Sequence, residues 1–391
     1  MIKAVLLDLD NTLLHNPDRQ FADAFRQAFD AHFLGCFGRT SLSTSFRSAI
    51  QTLSRQGDMM TANAEVIIAC LAQALQVSSE AVQKALTSFY QQPYDRLRQY
   101  TAVVPMAYRL VQTLLEQNLS VAIATNPIYS EAAILKRIDW AGLSDFVGDF
   151  AFVTHSENMH FAKPQPAYYA ELVARVGIEP DETLMVGDSE THDVKPARIL
   201  GIHTLHIHGL ETLQAFYEQV QCGGWQNAYK PRPLNPGMIA PQYQGNLAAL
   251  YGLLGEVKAH PWHQRPDPEE WSILQILCHL SESEMEVQQK RLKTILREHN
   301  PFIASPPAPG PHLPPCHDEG YEVLNQFRSK RLATIALLSQ LKPEDWQRPA
   351  RHSIFGLTNM LEMAYFTAQH DRLHITQLCQ TLGKCDESIF Y

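Results

Sequence analysis

Ile2-Lys-Ala-Val-Leu-Leu7-Asp8-Leu-Asp10-Asn-Thr12 decides how the rest of this chain is read. The run up to Leu7 is short, largely apolar and followed at once by turn-forming residues, which predicts a buried parallel strand. Asp8 and Asp10, two residues apart, then project from its carboxyl end on the same side of the pleat. Like charges that close are tolerable only with a cation or a shared proton between them. Such a pair suits an aspartate nucleophile beside an aspartate general acid/base, with Mg²⁺ held by both. The competing reading is a solvated strand-to-loop turn, since Asp, Asn and Thr are common turn residues. The pentad alone leaves both open.

Three later segments supply what a phosphoryl-transfer site would still need. Val121-Ala-Ile-Ala-Thr125-Asn126 reads as a second apolar strand, ending in a hydroxyl and an amide that can hydrogen-bond phosphate oxygens. Lys163-Pro164-Gln-Pro166 places an ammonium just before a proline-started helix, with Pro164 expected in its first turn. Leu184-Met-Val-Gly187-Asp188-Ser189, followed by Asp193, reads as a third strand ending in carboxylate, with Gly187 expected to allow a tight turn. Singly these are a helix cap, a surface lysine and an ordinary turn. Together, in this order and mostly at strand ends, they mark a site outside the carboxyl ends of an open α/β sheet.

With those motifs in place, roughly the first 220 residues resemble the haloacid dehalogenase-like hydrolase superfamily, all four of whose motifs occur in order. The resemblance implies a doubly wound α/β core with a parallel sheet. It implies Asp8 as the nucleophile that forms an aspartyl-phosphate, and Asp10 as the acid that protonates the leaving group and then activates water. Thr125, with Asn126 beside it, would bind the phosphoryl group, and Lys163 would offset charge on Asp8 and the phosphate. Asp188 would complete an Mg²⁺ site with the Asp8 side chain and the Asp10 backbone carbonyl, and Asp193 would support it. An Asp at position 10 is similar to the phosphatases of this superfamily, whereas its dehalogenases lack that acid. The substrate implied is a small phosphorylated molecule.

The stretch from about residue 16 to 100 reads as helical. Phe21, Phe25 and Phe29 recur every fourth position, one stripe of a helix. Ala64–Ala74 and Ala81–Tyr90 have helical spacing, with Ser78 or Ser79 placed to cap the latter. An insertion at this point resembles the cap that closes over the family's site, excludes water and selects substrate. The aromatic stripe is expected to be its core.

At 391 residues the chain can form two or three domains, and 45% hydrophobic with 19% charged residues is an ordinary globular composition. A net charge of −9 with no basic run argues against nucleic-acid binding. The seven cysteines are scattered and odd in number, with no Cys-x-x-Cys pair, which is not a disulfide framework. Neither a signal-peptide stretch nor a membrane-length apolar run is present, so the cytoplasm is the expected compartment.

The first domain is expected to span residues 1–221, followed by a Gly- and Pro-rich linker over 222–237. Residues 238–391 show no strand alternation and predict an all-α four-helix bundle, with helices over Tyr243–Val257, Trp271–Glu298, Asp318–Leu341 and Leu357–Leu382. A proline-rich loop, Asn300–His317, interrupts them. In the last helix His370-Asp-Arg-Leu-His374 places two imidazoles one turn apart, and His279 lies on an earlier apolar helix. Three histidines from two facing helices can form a three-nitrogen site for Zn²⁺ or Ni²⁺ with an open position. The alternative is two polar-face histidines and one core histidine.

The surrounding pattern, Trp271-Ser-Ile-Leu, His279-Leu, Ser283-Glu284, Trp346, Arg348, Phe355-Gly356 and Gln369-His370-Asp371-Arg372-Leu-His374-Ile-Thr-Gln377, resembles the DinB-like (YfiT/DinB) four-helix family. That resemblance implies a divalent metal on His279, His370 and His374. In some members it implies transfer to a low-molecular-weight thiol, and in others no assigned activity. A dimerisation or metabolite-binding module is the non-enzymatic alternative. His203, His206 and His208 are expected to be structural, Cys278 and Cys379 to pack in a core, Cys316-His317 to be exposed, and Asp371 and Arg372 to lie on a solvated face.

Overall fold

Ala4–Leu7 forms β1, and all four of its side chains are buried, as a strand flanked on both edges and covered on both faces requires. The computed structural model describes residues 1–38, 42–55, 57–257, 261–306 and 319–385. Within them the chain divides into two compact units, Met1–Arg232 and Pro233–Tyr391.

In the first unit the chain leaves β1 through a tight turn, with Asn11 in the left-handed region at φ 57°, and enters β2 (Leu14–His15), which pairs antiparallel with β3 (Ala102–Val103). Between those two short strands lie α1 (Asp18–Phe37), α2 (Leu42–Arg55), α3 (Asn63–Leu75), α4 (Ser79–Gln91) and the 3-10 segment Pro93–Tyr100. Ser78 caps α4, its hydroxyl accepting from the Ala81 N–H at 3.2 Å. Phe21, Phe25, Phe29 and Phe33 are buried. Phe25 and Phe29 stack at 5.3 Å and meet Phe46 and Phe89, so the aromatic stripe is the core of this helical insertion.

The remaining elements alternate helix and strand: α5 (Ala107–Glu116), β4 (Ser120–Ile123), α6 (Glu131–Trp140), β5 (Phe152–Val153), α7 (Pro166–Val176), β6 (Thr183–Gly187), α8 (Lys195–Ile199), β7 (His203–His206) and α9 (Leu210–Cys222). Five strands form one parallel sheet in the order β5-β4-β1-β6-β7. The first strand is therefore the central one. Strand order reverses there, and the carboxyl ends of β4, β1 and β6 lie side by side at the switch point where ligands bind in doubly wound folds. One local expectation is corrected. α7 begins at Pro166, not at Pro164, whose peptide bond with Lys163 is cis. Pro166 is the proline that fills the first helical position.

The Gly- and Pro-rich stretch after α9 begins as part of the first unit. Trp225 is buried, packs edge-on against Phe216 at 5.5 Å and donates to the Gln117 side chain at 3.2 Å.

The second unit is helical: α10 (Ile239–Gly255), α11 (Ile273–Ser283), a π-helical turn Glu284–Gln289 that runs on into α12 (Lys290–Arg297), α13 (Gly320–Ser339) and α14 (Met360–Cys385). The bundle also carries a small sheet of β8 (Phe302–Ile303), β9 (Pro349–His352) and β10 (Gly356–Asn359). Strands of two to four residues are too short to show an alternation in sequence. Asp371 and Arg372, expected on a solvated face, are buried. Arg331 binds Asp371 with both terminal nitrogens and Glu284 at 2.7 Å, and Arg372 donates to Gln242 at 2.7 Å. The exposed side of the middle turns of α14 lies instead at Leu373, and Asp371 and Arg372 face the neighbouring helices. Cys379 is exposed and Cys278 half-buried; both depart from the expected core packing. Cys316-His317 lies outside the described residues. Among the described residues no single helix is long and apolar enough to cross a membrane.

Candidate active site and metal centre

All the site residues expected in the first part of the chain line one cavity of about 530 Å³: Asp8, Asp10, Thr125, Asn126, Lys163, Asp188 and Asp193. The sheet explains why. Asp8 follows β1 directly, and its N–H donates to the Val186 carbonyl of β6 at 2.9 Å, while Ala124 N–H donates back to Leu7 at 2.7 Å. Thr125 is buried, its carbonyl accepting from Thr154 at 2.8 Å and from the Tyr168 hydroxyl at 2.9 Å. The Asn126 amide oxygen is buried without a partner among the described residues.

Lys163 holds the centre. Its ammonium, 2% exposed, lies 2.8 Å from Asp8 Oδ1 and 2.5 Å from Asp193 Oδ1. Burial works against the Lys163 charge, but Asp193 and Asp8 outweigh it and hold the lysine firmly protonated. Burial pushes the Asp8 carboxyl well above its ordinary range, with Lys163 pulling it back and Asp193 pushing it further up. Asp193 sits on the π-helical turn Glu190–Val194, with its second oxygen accepting from Ser189 N–H at 2.9 Å. Gly187 serves close approach rather than a tight turn: a Cβ there would lie 2.4 Å from Asp193 Oδ2.

Oxygens of Asp8, Asp188 and Asp193 all lie within 4.8 Å of one another. Three carboxylates facing one ammonium leave excess negative charge at a largely buried point, and an all-oxygen donor set suits a hard cation such as Mg²⁺. Both Asp193 oxygens already have donors, Lys163 on one and the Ser189 N–H on the other. The Asp10 side chain is outside this group. It turns toward Asn16, 2.9 Å away, and toward the Arg137 guanidinium.

Two further residues carry no sequence motif. Glu171, fully buried on α7, accepts from the His160 and Phe161 N–H groups and from His160 Nδ1 at 2.7 Å, which pins the loop that delivers Lys163. His206 faces the Asp188 carbonyl through Nε2 at 2.8 Å. His203 points elsewhere, onto Tyr229. A lone Glu in a helix or a lone His in a strand gives no local signal; only its long-range partner reveals it.

In the second unit His279, His370 and His374 converge, with ligand nitrogens within 4.8 Å of one another. His279 Nε2 and His370 Nε2 are 3.3 Å apart. A tetrahedral ion with metal–nitrogen bonds of about 2.0–2.1 Å sets its ligand nitrogens about 3.3–3.4 Å apart, so the spacing suits one. His374 Nδ1 is bonded to Gln377 at 2.8 Å, which fixes the ring and leaves Nε2 for a metal. Trp271 stacks on His374 at 5.8 Å. Burial, then the other two rings, lowers His279 to about 3; burial, then His374, lowers His370 to about 4. Neutral imidazoles are the ligating form.

With this fold and this arrangement, the chain belongs to the haloacid dehalogenase-like hydrolase family, whose model matches residues 2–201, just over half its length. Residues 242–378 match the DinB superfamily. The chain is similar to the phosphoglycolate phosphatase of Rhodospirillum rubrum, 25% identical over 240 residues, covering 59% of this chain and 93% of that protein. It is 27% identical over 210 residues to the ribulose-1,5-bisphosphate 5-phosphatase of Halopiger xanaduensis, covering 52% of this chain and 84% of that protein. It is also 28% identical over 141 residues to the uncharacterized protein YuaE of Bacillus subtilis, covering 32% of this chain and 86% of that protein.

Proposed function

We propose that the first unit is a Mg²⁺-dependent phosphatase that hydrolyses a small phosphorylated metabolite through an aspartyl-phosphate on Asp8. The observation that carries the reading is the buried Asp8 carboxylate, held by Lys163 in the same cavity as Asp10, Thr125 and Asp188. The phosphatase relatives support the substrate class. Asp8 and Asp188, with the Asp10 backbone carbonyl, would hold Mg²⁺, which when bound supplies charge neutralisation at the phosphoryl oxygens.

The chain's own residues do the rest. Lys163 offsets charge and aligns Asp8; Thr125 and Asn126 hydrogen-bond the phosphoryl oxygens. Asp8 forms a bond to phosphorus as the bond to the leaving oxygen breaks, and Asp10 gives that oxygen its proton. Water then attacks phosphorus, returns a proton to Asp10 and releases Asp8. The test is a screen of small phosphomonoesters with and without Mg²⁺. Wild type should be active only with the metal, and Asp8→Asn should fall by roughly 10⁴-fold or more. Activity retained in Asp8→Asn sinks the mechanism.

The histidine triad favours a second activity or binding role for the other unit, with a Zn²⁺ or Ni²⁺ ion on His279, His370 and His374. Three protein ligands leave a position for a small thiol or for water. Elemental analysis of wild type and of a His370→Ala/His374→Ala variant checks this. A wild type that carries no transition metal reduces the bundle to a binding or dimerisation module.

A further inference from the structure

Arg137, on α6, touches four separate parts of the first unit at once. Its Nη1 donates to Asp10 Oδ2. Its Nε donates at 2.8 Å to the hydroxyl of Tyr94, on the segment that returns from the helical insertion. Its guanidinium carbon lies 4.5 Å from the ring centroids of both Phe21, on α1, and Tyr129. The side chain is 3% exposed.

The other Asp10 oxygen accepts from Asn16. Both oxygens of the acid are therefore held by named donors, and neither holder is among the family motifs quoted from the sequence. Asp10, Asn16, Phe21, Thr125, Asn126 and Arg137 line a chamber of about 250 Å³. Asp10, Thr125 and Asn126 line the larger cavity as well, so the chamber is where the leaving group would sit.

An unsupported aspartate samples several rotamers, and a general acid is useful only from the one that points at the leaving oxygen. Arg137 removes that freedom. Its planar fork gives a directional, charge-assisted bond to the carboxylate, and the two rings and the Tyr94 hydroxyl fix the plane of the fork. As a stabilising device the pair has little to recommend it, because a buried ion pair is commonly matched or bettered by apolar residues of the same volume. We propose that Arg137 is the positioning residue for Asp10, with Tyr94 setting the orientation of Arg137. This rests on the phosphatase reading above.

The chemistry offers a test that folding defects cannot imitate. An alkoxide leaves only with a proton from Asp10, whereas p-nitrophenolate is a weak base that leaves without one. kcat/KM reports the steps through transfer to Asp8, so comparing the two substrates isolates the acid. In the full chain with Mg²⁺, Arg137→Met should lower kcat/KM by about 10²–10³-fold on an alkyl phosphate, 2-phosphoglycolate first. On p-nitrophenyl phosphate the loss should be under about tenfold. Arg137→Lys should recover part of the alkyl-phosphate activity, since it keeps the charge but cannot span Asp10 and Tyr94 together. Tyr94→Phe should shift the same ratio in the same direction, by less, and it carries the test if Arg137→Met does not fold. Equal losses on both substrates, or none on either, overturn the proposal while leaving the phosphatase reading intact. A folded, Mg²⁺-supplied wild type that hydrolyses neither substrate overturns both.

Discussion

At the scale of single residues, the site in the first unit is assembled by close contact rather than by space. Gly187 ends β6 with no room above it, because the Asp193 carboxylate sits where a side chain would begin. Asp193 cannot yield easily, being fixed by Lys163 at 2.5 Å and by the Ser189 N–H at 2.9 Å. Gly187→Ala should therefore displace Asp193 and with it Lys163. The expected loss is up to about 10²-fold in kcat, the scale of an ångström-sized misplacement, with an overpacking cost of about 1–3 kcal/mol in urea denaturation. A variant with wild-type kcat would show that the Asp193–Lys163 pair has slack. The motif positions at Asp8, Thr125, Lys163 and Asp188 were legible from sequence because each stands beside a strand signal or a Gly/Pro punctuation. Arg137, Glu171 and His206 were not, since each acts on a partner ten or more residues away.

At the scale of elements, α14 contributes His370 and His374 to the triad and Asp371 to a buried ionic network. Arg331 pairs with both Glu284 and Asp371, all three essentially without solvent contact, while Thr334 also donates to Glu284 and Asn246 to Asp371. Arg331→Met leaves two carboxylates unpaired and should cost about 3–5 kcal/mol, read as a lowered denaturation midpoint of the second unit with the first unit's transition unmoved. The triad adds a pH dependence. His279 and His370 are depressed to about 3 and about 4 from an ordinary 6.5, so as pH falls through 6.5 the unfolded chain takes up protons that the folded cluster refuses. Stability is fully present above pH 6.5 and is lost progressively toward pH 4 and below. In metal-stripped protein the melting temperature of the second unit should fall over that window, and His279→Gln should flatten the fall. An unchanged melting temperature from pH 7 to 4 would mean that the three rings are not held together.

At the scale of the whole molecule, every residue around Asp8 comes from the first unit and every triad histidine from the second. Metal should therefore act on each unit separately. Mg²⁺ at a hundredfold excess over its dissociation constant should stabilise the first unit by about 2.7 kcal/mol and leave the second unit's transition where it was. His370→Ala/His374→Ala should empty the transition-metal site and keep phosphatase kcat/KM within about twofold, as expected of independent sites. Two-transition calorimetry with metal analysis checks both. A Mg²⁺ effect that survives Asp188→Asn would place the ion elsewhere.

The sequence by itself determined the strands β1, β4, β6 and β7, the helical insertion after β1 and the residues that meet at Asp8 and at the triad. These follow from local rules: apolar runs make buried strands, 3.6-residue spacing makes helices, and ligands gather at strand ends or one turn apart. The tertiary structure alone decided that β1 is the central strand, that Asp371 and Arg372 are buried, that Gly187 serves the Asp193 carboxylate, and that Arg137 reaches Asp10. Each of those depends on which distant segment packs against the residue, and no short window of sequence carries that information.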